Sequence, residues 1–107
     1  MGIFDQREES FENAYVQGRE FRFRAKARRN KLLGLWAAGK IGASGAAAEA
    51  YIDELVAAAT AKNADDVVVS RVMRDFMAVG ILQSEHQIRR HMDEFLAQAT
   101  TEISLGI

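Results

Sequence analysis

Three stretches in the second half of the chain place apolar residues at helical spacing. Ala48, Tyr51, Ile52, Leu55, Val56 and Ala59 form one regular face, and Val68, Val69, Val72, Met73 and Phe76 form a second. Ile88, Met92, Phe95, Leu96, Ala99 and Ile103 form a third, the cleanest period in the chain. The run Val67-Val68-Val69 is β-prone when read alone, but the 3.6-residue period carried on through Met73 and Phe76 decides for helix. Punctuation falls between these faces. Ser44 is placed to cap the first of the three helices, and the turn signal Asn63 to Asp66 makes Asp65 the expected cap of the next. Gly80 ends that helix, and Ser84 with Gln87 makes a capping box for the last. The terminal Leu105-Gly106-Ile107 is expected to fray.

A longer pattern precedes them. Phe21, Ala25, Leu32 and Trp36 share one face, with Leu33 and Leu35 flanking it, and Gly39 and Gly42 supply stop signals. Arg28 and Arg29 border this face, their stems expected to cover apolar surface while the guanidinium groups reach water. Phe23 and Ala27 fall on the opposite side. Four helices joined by short loops predict an all-α fold: a small four-helix bundle with a long first helix.

The first 18 residues read differently. From Asp5 to Ala14 the only apolar side chains are Phe11 and Ala14, too few to offset the entropy of ordering a helix by packing. Asp5 and Glu8 make a capping-box-like start, so a nascent helix, frayed in the free protein, is expected. Gly18 is a soft point, weaker than Ala in a helix by about 1 kcal/mol. The chain therefore divides into a mobile N-terminal arm, 1–18, and a helical bundle domain, 19–107. Wound as a helix, Phe4, Phe11 and Tyr15 share a narrow stripe. That stripe is either the start of the intramolecular core or a set of anchors for a groove on a partner. Scarce but correctly phased apolar groups favour the groove.

Charge sharpens this division. The 107 residues carry a net charge of −1, which argues against a wholly basic nucleic-acid binder. Yet residues 1–18 hold four acids and one Arg, whereas 19–31 hold seven bases and one acid. Within that basic run only Glu20 is at hand, in favourable i,i+4 spacing to Arg24. Arg19, Arg22, Phe23, Arg24 and Lys26 form a second candidate contact surface. Proline and cysteine are absent, so there is no disulfide frame, thiol nucleophile or zinc knuckle. No apolar run approaches the ~18 residues that span a bilayer, and no secretory leader is apparent. Gln6 stands where a myristoylation signal needs Ser or Thr.

Catalytic patterns are equally scarce. Phosphate-binding glycine loops and the HExxH metal motif are missing. His86 and His91 are off the i,i+4 spacing that aims two imidazoles at one metal, and both are expected at the surface or near a cap. Glu8, Glu9 and Glu12 lie on the arm, where little would shift their pKa for acid–base work. No enzyme, cofactor or metal site is expected.

Specific residues add a resemblance. Phe4-Asp5-x-Arg7-Glu8, Phe11-Glu12 and, above all, Ala27-Arg28-Arg29-Asn30-Lys31-Leu32-Leu33-Gly34-Leu35-Trp36-Ala37-Ala38 resemble the zeta subunit family of bacterial F-type ATP synthases. Those are small helical inhibitors of ATP hydrolysis, also catalogued as a domain of unknown function. The chain departs from many relatives at Ala57 to Asp66, where they carry an acidic loop containing Pro-Gly. The resemblance implies partners: the catalytic-head subunits and the central rotor, between which the arm inserts as a helix. It implies Phe4, Phe11 and Tyr15 as apolar anchors, with Asp5, Arg7, Glu8 and Glu12 setting register and orientation. A cytoplasmic protein is expected, monomeric when free, peripheral to the membrane through the synthase, with no DNA partner and no membrane insertion. The competing reading from the residues is an arginine-rich RNA-binding helix on a helical scaffold, or a structural adaptor.

Overall fold

The computed structural model describes the backbone from residue 3 and the side chains from residue 18. It consists of four α-helices, α1 (Ile3–Ile41), α2 (Gly45–Ala57), α3 (Ala64–Ala78) and α4 (Glu85–Ser104), with a short 3₁₀ turn at Ala58–Thr60. The all-α four-helix expectation holds, including the helical state of Val67-Val68-Val69. The 3₁₀ turn tightens the end of α2 where the length of that helix was least legible.

Helix α1 is the common wall of the bundle. Gly34 meets Ile52 of α2, and Asn30 reaches Leu55 of α2, so the two helices run antiparallel. Trp36 meets Phe95 of α4, and Arg28 meets Glu102, so α4 is antiparallel to α1 as well. Leu33, Ala37, Ala38, Tyr51, Leu55, Val68, Val69, Val72, Phe76, Ile88 and Met92 form one buried cluster. Packing on two sides widens the buried arc of α1 and shifts its centre away from the expected line of Phe21, Ala25, Leu32 and Trp36. Ala25 is buried, Phe21, Leu32 and Trp36 are half-buried, and the deepest positions are Asn30, Leu33 and Ala37. Leu35, expected beside the core, points outward and is half exposed. The other three faces are placed as expected, with Leu55, Val68, Val72, Phe76, Ile88 and Ala99 deepest among them.

The helix ends follow local chemistry. Gly42, at φ +80, lets the Ala43 N–H return to the Ala38 carbonyl at 2.9 Å and its own N–H to Gly39 at 3.3 Å. This closure satisfies two orphan carbonyls of α1. The same pair of bonds closes α3 at Gly80 and α4 at Gly106, so the terminal residues end in a hydrogen-bonded turn rather than the frayed end expected. Ser84 accepts from the Gln87 N–H at 3.1 Å and its N–H donates to the Gln87 side chain at 2.9 Å, completing the expected capping box. Two caps differ. Ser44 occupies the N-cap of α2 without a side-chain bond. The N-cap of α3 is Asn63, at φ 58, and not Asp65, which lies inside the first turn with its carboxylate engaged elsewhere.

Candidate functional site

Asn30 and Arg29 form the polar centre of the body. Asn30 is fully buried and Arg29 nearly so, in a helix where neighbouring buried positions are apolar or small. The Asn30 Nδ2 donates to the Leu55 carbonyl at 2.8 Å, serving one of the last-turn acceptors of α2. Its Oδ1 accepts from Arg29 Nε at 3.1 Å and Nη2 at 3.0 Å, and Arg29 Nη2 also donates to Asp65 at 2.7 Å. One amide and one guanidinium thus join α1, α2 and α3. The hydrogen bond from Arg29 holds the Asp65 carboxyl below its ordinary value, against the opposing pull of burial. The expectation that the Arg29 guanidinium reaches water is overturned: an acidic partner at the start of α3 and the Asn30 oxygen replace the water it gives up.

Arg28, its neighbour in sequence, turns to α4 and approaches Glu102 at 3.5 Å. Two of the seven bases in the run are therefore structural. Arg19, Arg22, Arg24, Lys26 and Lys31 are exposed, and no ion pair joins them to other described side chains. The expected Glu20–Arg24 pair is not formed among the described residues; the two flank a shallow depression with Arg19 and Phe23.

The secondary contact residues lie as expected on the outside. Phe23 is 49% exposed. Phe23, Asn30 and Ala37 are spaced by seven, as are Arg22 and Arg29, and Lys26 and Leu33. At ~100° per residue these sets share one side of α1. The side that is buried from Arg29 onward is therefore bare from Arg19 to Lys26. The side chains of Phe4, Asp5, Arg7, Glu8, Phe11, Glu12 and Tyr15 lie outside the described residues.

A second polar group sits between α2 and α3. Arg71 pairs with Glu54 and Asp75 and lies over the Tyr51 ring at 5.3 Å. Burial, with the Asp75 carboxylate beside it, pushes the Tyr51 phenol well above its ordinary value. On the side of α1 that faces α4, Trp36 touches Phe76 edge-on at 5.4 Å and lies tilted against His91 at 4.3 Å. His91, expected at the surface or near a cap, is instead a half-buried packing partner of the only Trp. Among the described residues no three His, Asp or Glu side chains are arranged to hold a metal ion, and no helix is long and apolar enough to cross a membrane.

Sequence reasoning missed the Arg29–Asn30–Asp65 node. The available signal was Asn30 itself, a residue of modest helix propensity in mid-helix, within the most specific motif of the chain.

The arrangement is that of a small all-α protein built round one long, charged helix, part of which serves as the wall of the body. The sequence comparison is more particular. The family model described as ATPase inhibitor subunit zeta matches residues 1–102, and the chain belongs to that family. Membership makes it a regulator named for inhibiting an ATPase rather than for a chemistry of its own. No curated protein matches the chain.

Proposed function

We propose that this protein inhibits ATP hydrolysis by the catalytic head of an F-type ATP synthase, inserting its N-terminal arm as a helix at a catalytic subunit interface and wedging it against the central rotor. The observation that carries the reading is the family match over residues 1–102, which includes the whole arm. Phe4, Phe11 and Tyr15 act as apolar anchors, while Asp5, Arg7, Glu8 and Glu12 set register. The arm carries too little apolar surface to order itself, so its ordering cost is met on docking, which keeps inhibition reversible. The body keeps the arm at high local concentration. Arg19, Arg22, Phe23, Arg24 and Lys26 extend the contact along α1. The protein acts in the cytoplasm, reaches the membrane only through the synthase, and is monomeric when free.

The deciding experiment is ATP hydrolysis by the matching catalytic head, with and without the full-length protein. Dose-dependent loss of hydrolysis supports the reading; unchanged hydrolysis at saturating protein refutes it. Removing residues 1–18 should abolish inhibition and leave the melting curve of the body nearly unchanged. Full inhibition by the shortened chain would move the active surface to the basic part of α1.

A further inference from the structure

The basic part of α1 sits beside an unfilled step. Below Lys26 the α1 face is covered by α2, the 3₁₀ turn and α3; above it, Arg19, Arg22, Phe23 and Lys26 are exposed. At the corner, Lys26 lines a hollow of about 360 Å³ with Ala59, Ala61, Asn63, Ala64, Asp65 and Asp66. Three small alanines thus share the hollow with Lys26, Asn63 and two aspartates.

We propose that this step is the seat of an acidic helical segment of the catalytic head, lying along Arg19, Arg22, Phe23 and Lys26 and ending at this corner. This rests on the inhibitor reading and adds to it a contact separate from the arm. Three observations select the occupant. First, the shape is that of a missing helix: the four residues continue the side of α1 that Asn30, Leu33 and Ala37 present to the body, so a helix placed there extends packing already in use. Second, the charge is uncompensated in one direction. The two acids at the corner are already engaged, Asp65 by Arg29 and Asp66 by Arg89, each at 2.7 Å. Arg19, Arg22 and Lys26 form no ion pair among the described residues; Glu20 stands beside Arg19, and Lys26 acts on Asp65 across the hollow, which leaves the stripe positive on balance. Third, Phe23 stands half exposed between these three bases, with Glu20 on its other side, an apolar anchor bordered mainly by positive charge. From Arg19 to Lys26 the face rises about 10 Å at ~1.5 Å per residue. Its complement is two turns of helix with acids three or four residues apart and an apolar side chain between them. Contacts of this kind act chiefly on capture and register, whereas the arm acts on rotation.

The test uses the full-length chain. One variant reverses the stripe, Arg19→Glu with Arg22→Glu and Lys26→Glu; a second is Phe23→Ser. Arg19, Arg22 and Phe23 are exposed and clear of the body, so Arg19→Glu with Arg22→Glu, and Phe23→Ser, should melt as wild type, whereas adding Lys26→Glu sets a third acid beside Asp65 and Asp66 and should lower the melting temperature slightly. The protein concentration giving half inhibition should rise at least about tenfold for the triple variant, through slower capture, and residual hydrolysis at saturation should stay at the wild-type level. A photo-crosslinking amino acid at position 23 should attach to a peptide of a head subunit bearing acids at three-to-four spacing. If wild type inhibits and the triple variant inhibits at the same concentration, the seat is not there and the inhibitor reading survives. A crosslink to a second copy of this chain, or to RNA, overturns the occupant. If wild type does not inhibit, both readings fall together.

Discussion

Arg29 and Asp65 meet at 2.7 Å with very unequal exposure: the Arg29 side chain is 3% exposed and the Asp65 side chain 42%. The charge deep in the body is the cation, and its acidic partner stands at the edge in contact with solvent. Removing the acid strands the cation. Asp65→Ala should cost about 2–3 kcal/mol in urea unfolding, less than the ~3–5 kcal/mol of a fully buried pair because Asp65 is half solvated. The same pair predicts acid sensitivity. The Asp65 carboxyl lies below its ordinary value in the folded protein, so the unfolded chain takes up its proton first as pH falls. The stabilisation is complete above about pH 4, the ordinary aspartate value, and is lost as pH drops through the lower folded value. Asp65→Asn should flatten that part of the curve of urea midpoint against pH; an unchanged curve would show that Asp65 is not linked to folding.

Gly34 marks the closest approach of α1 and α2. A Cβ added there would lie 3.1 Å from the Ile52 Cα and 3.2 Å from its Cγ1. Because the nearer atom is backbone, side-chain rotation alone cannot relieve the contact. Gly34→Ala gains about 1 kcal/mol of helix propensity but forces the helices apart, at a cost of about 1–3 kcal/mol. A net fall in melting temperature is expected. Gly39→Ala, with no atom within 4 Å of the added carbon, should raise it. Equal and positive shifts would show that α2 is free to move.

Trp36 is half-buried, so Trp36→Ala should fall near the low end of the ~3–5 kcal/mol range for large aromatic truncations. His91→Ala removes the ring packed on Trp36 at 4.3 Å together with its contact to Phe95 at 6.2 Å and should cost about 0.5–1.5 kcal/mol. The double variant should be less destabilised than the sum of the two, since both lose the same contact. Strict additivity in thermal unfolding would mean that the stack contributes nothing.

For the arm, Phe11→Ala removes an anchor and keeps every charge, whereas Ala14→Gly lowers helicity by about 1 kcal/mol and keeps both. Both should weaken inhibition in the hydrolysis assay without shifting the melting temperature. Backbone relaxation by NMR should show picosecond-to-nanosecond motion through Asp5–Ala14 in the free protein. Body-like order parameters there would make the arm a preformed rod and refute ordering on docking.

The helices were legible because their apolar faces repeat. Val68, Val72 and Phe76 on α3 and Ile88, Met92 and Ala99 on α4 each face a single direction, so periodicity alone places them. It failed on α1, which is packed on two sides: a wide buried arc that includes Gly34, Ala37 and Asn30 has no single apolar stripe. Local rules found the Ser84–Gln87 box, whose two members lie three residues apart, but gave α3 the wrong cap. Asp65 is drawn off by Arg29, 36 residues away in the chain, and no local pattern carries that information. For the candidate site, the exposed run Arg19, Arg22, Phe23 and Lys26 was readable as charge without partners. The step beneath it was not, because its floor comes from residues around Ala61.

Asn30 also acts as a ruler. Phe23, Asn30 and Ala37 lie on one side of α1 at intervals of seven, and so do Lys26, Leu33 and Lys40, so a slide of two turns would also set a lysine in the place of buried Leu33. The bond from Asn30 to the Leu55 carbonyl exists in only one of those registers, since neither Phe23 nor Ala37 offers a donor. A slip would move the body about 10 Å along α1 at ~1.5 Å per residue and would leave a buried amide unpaired. Asn30 and Leu33 together thus fix how much of α1 protrudes from the body, and with it the distance across which the arm can reach.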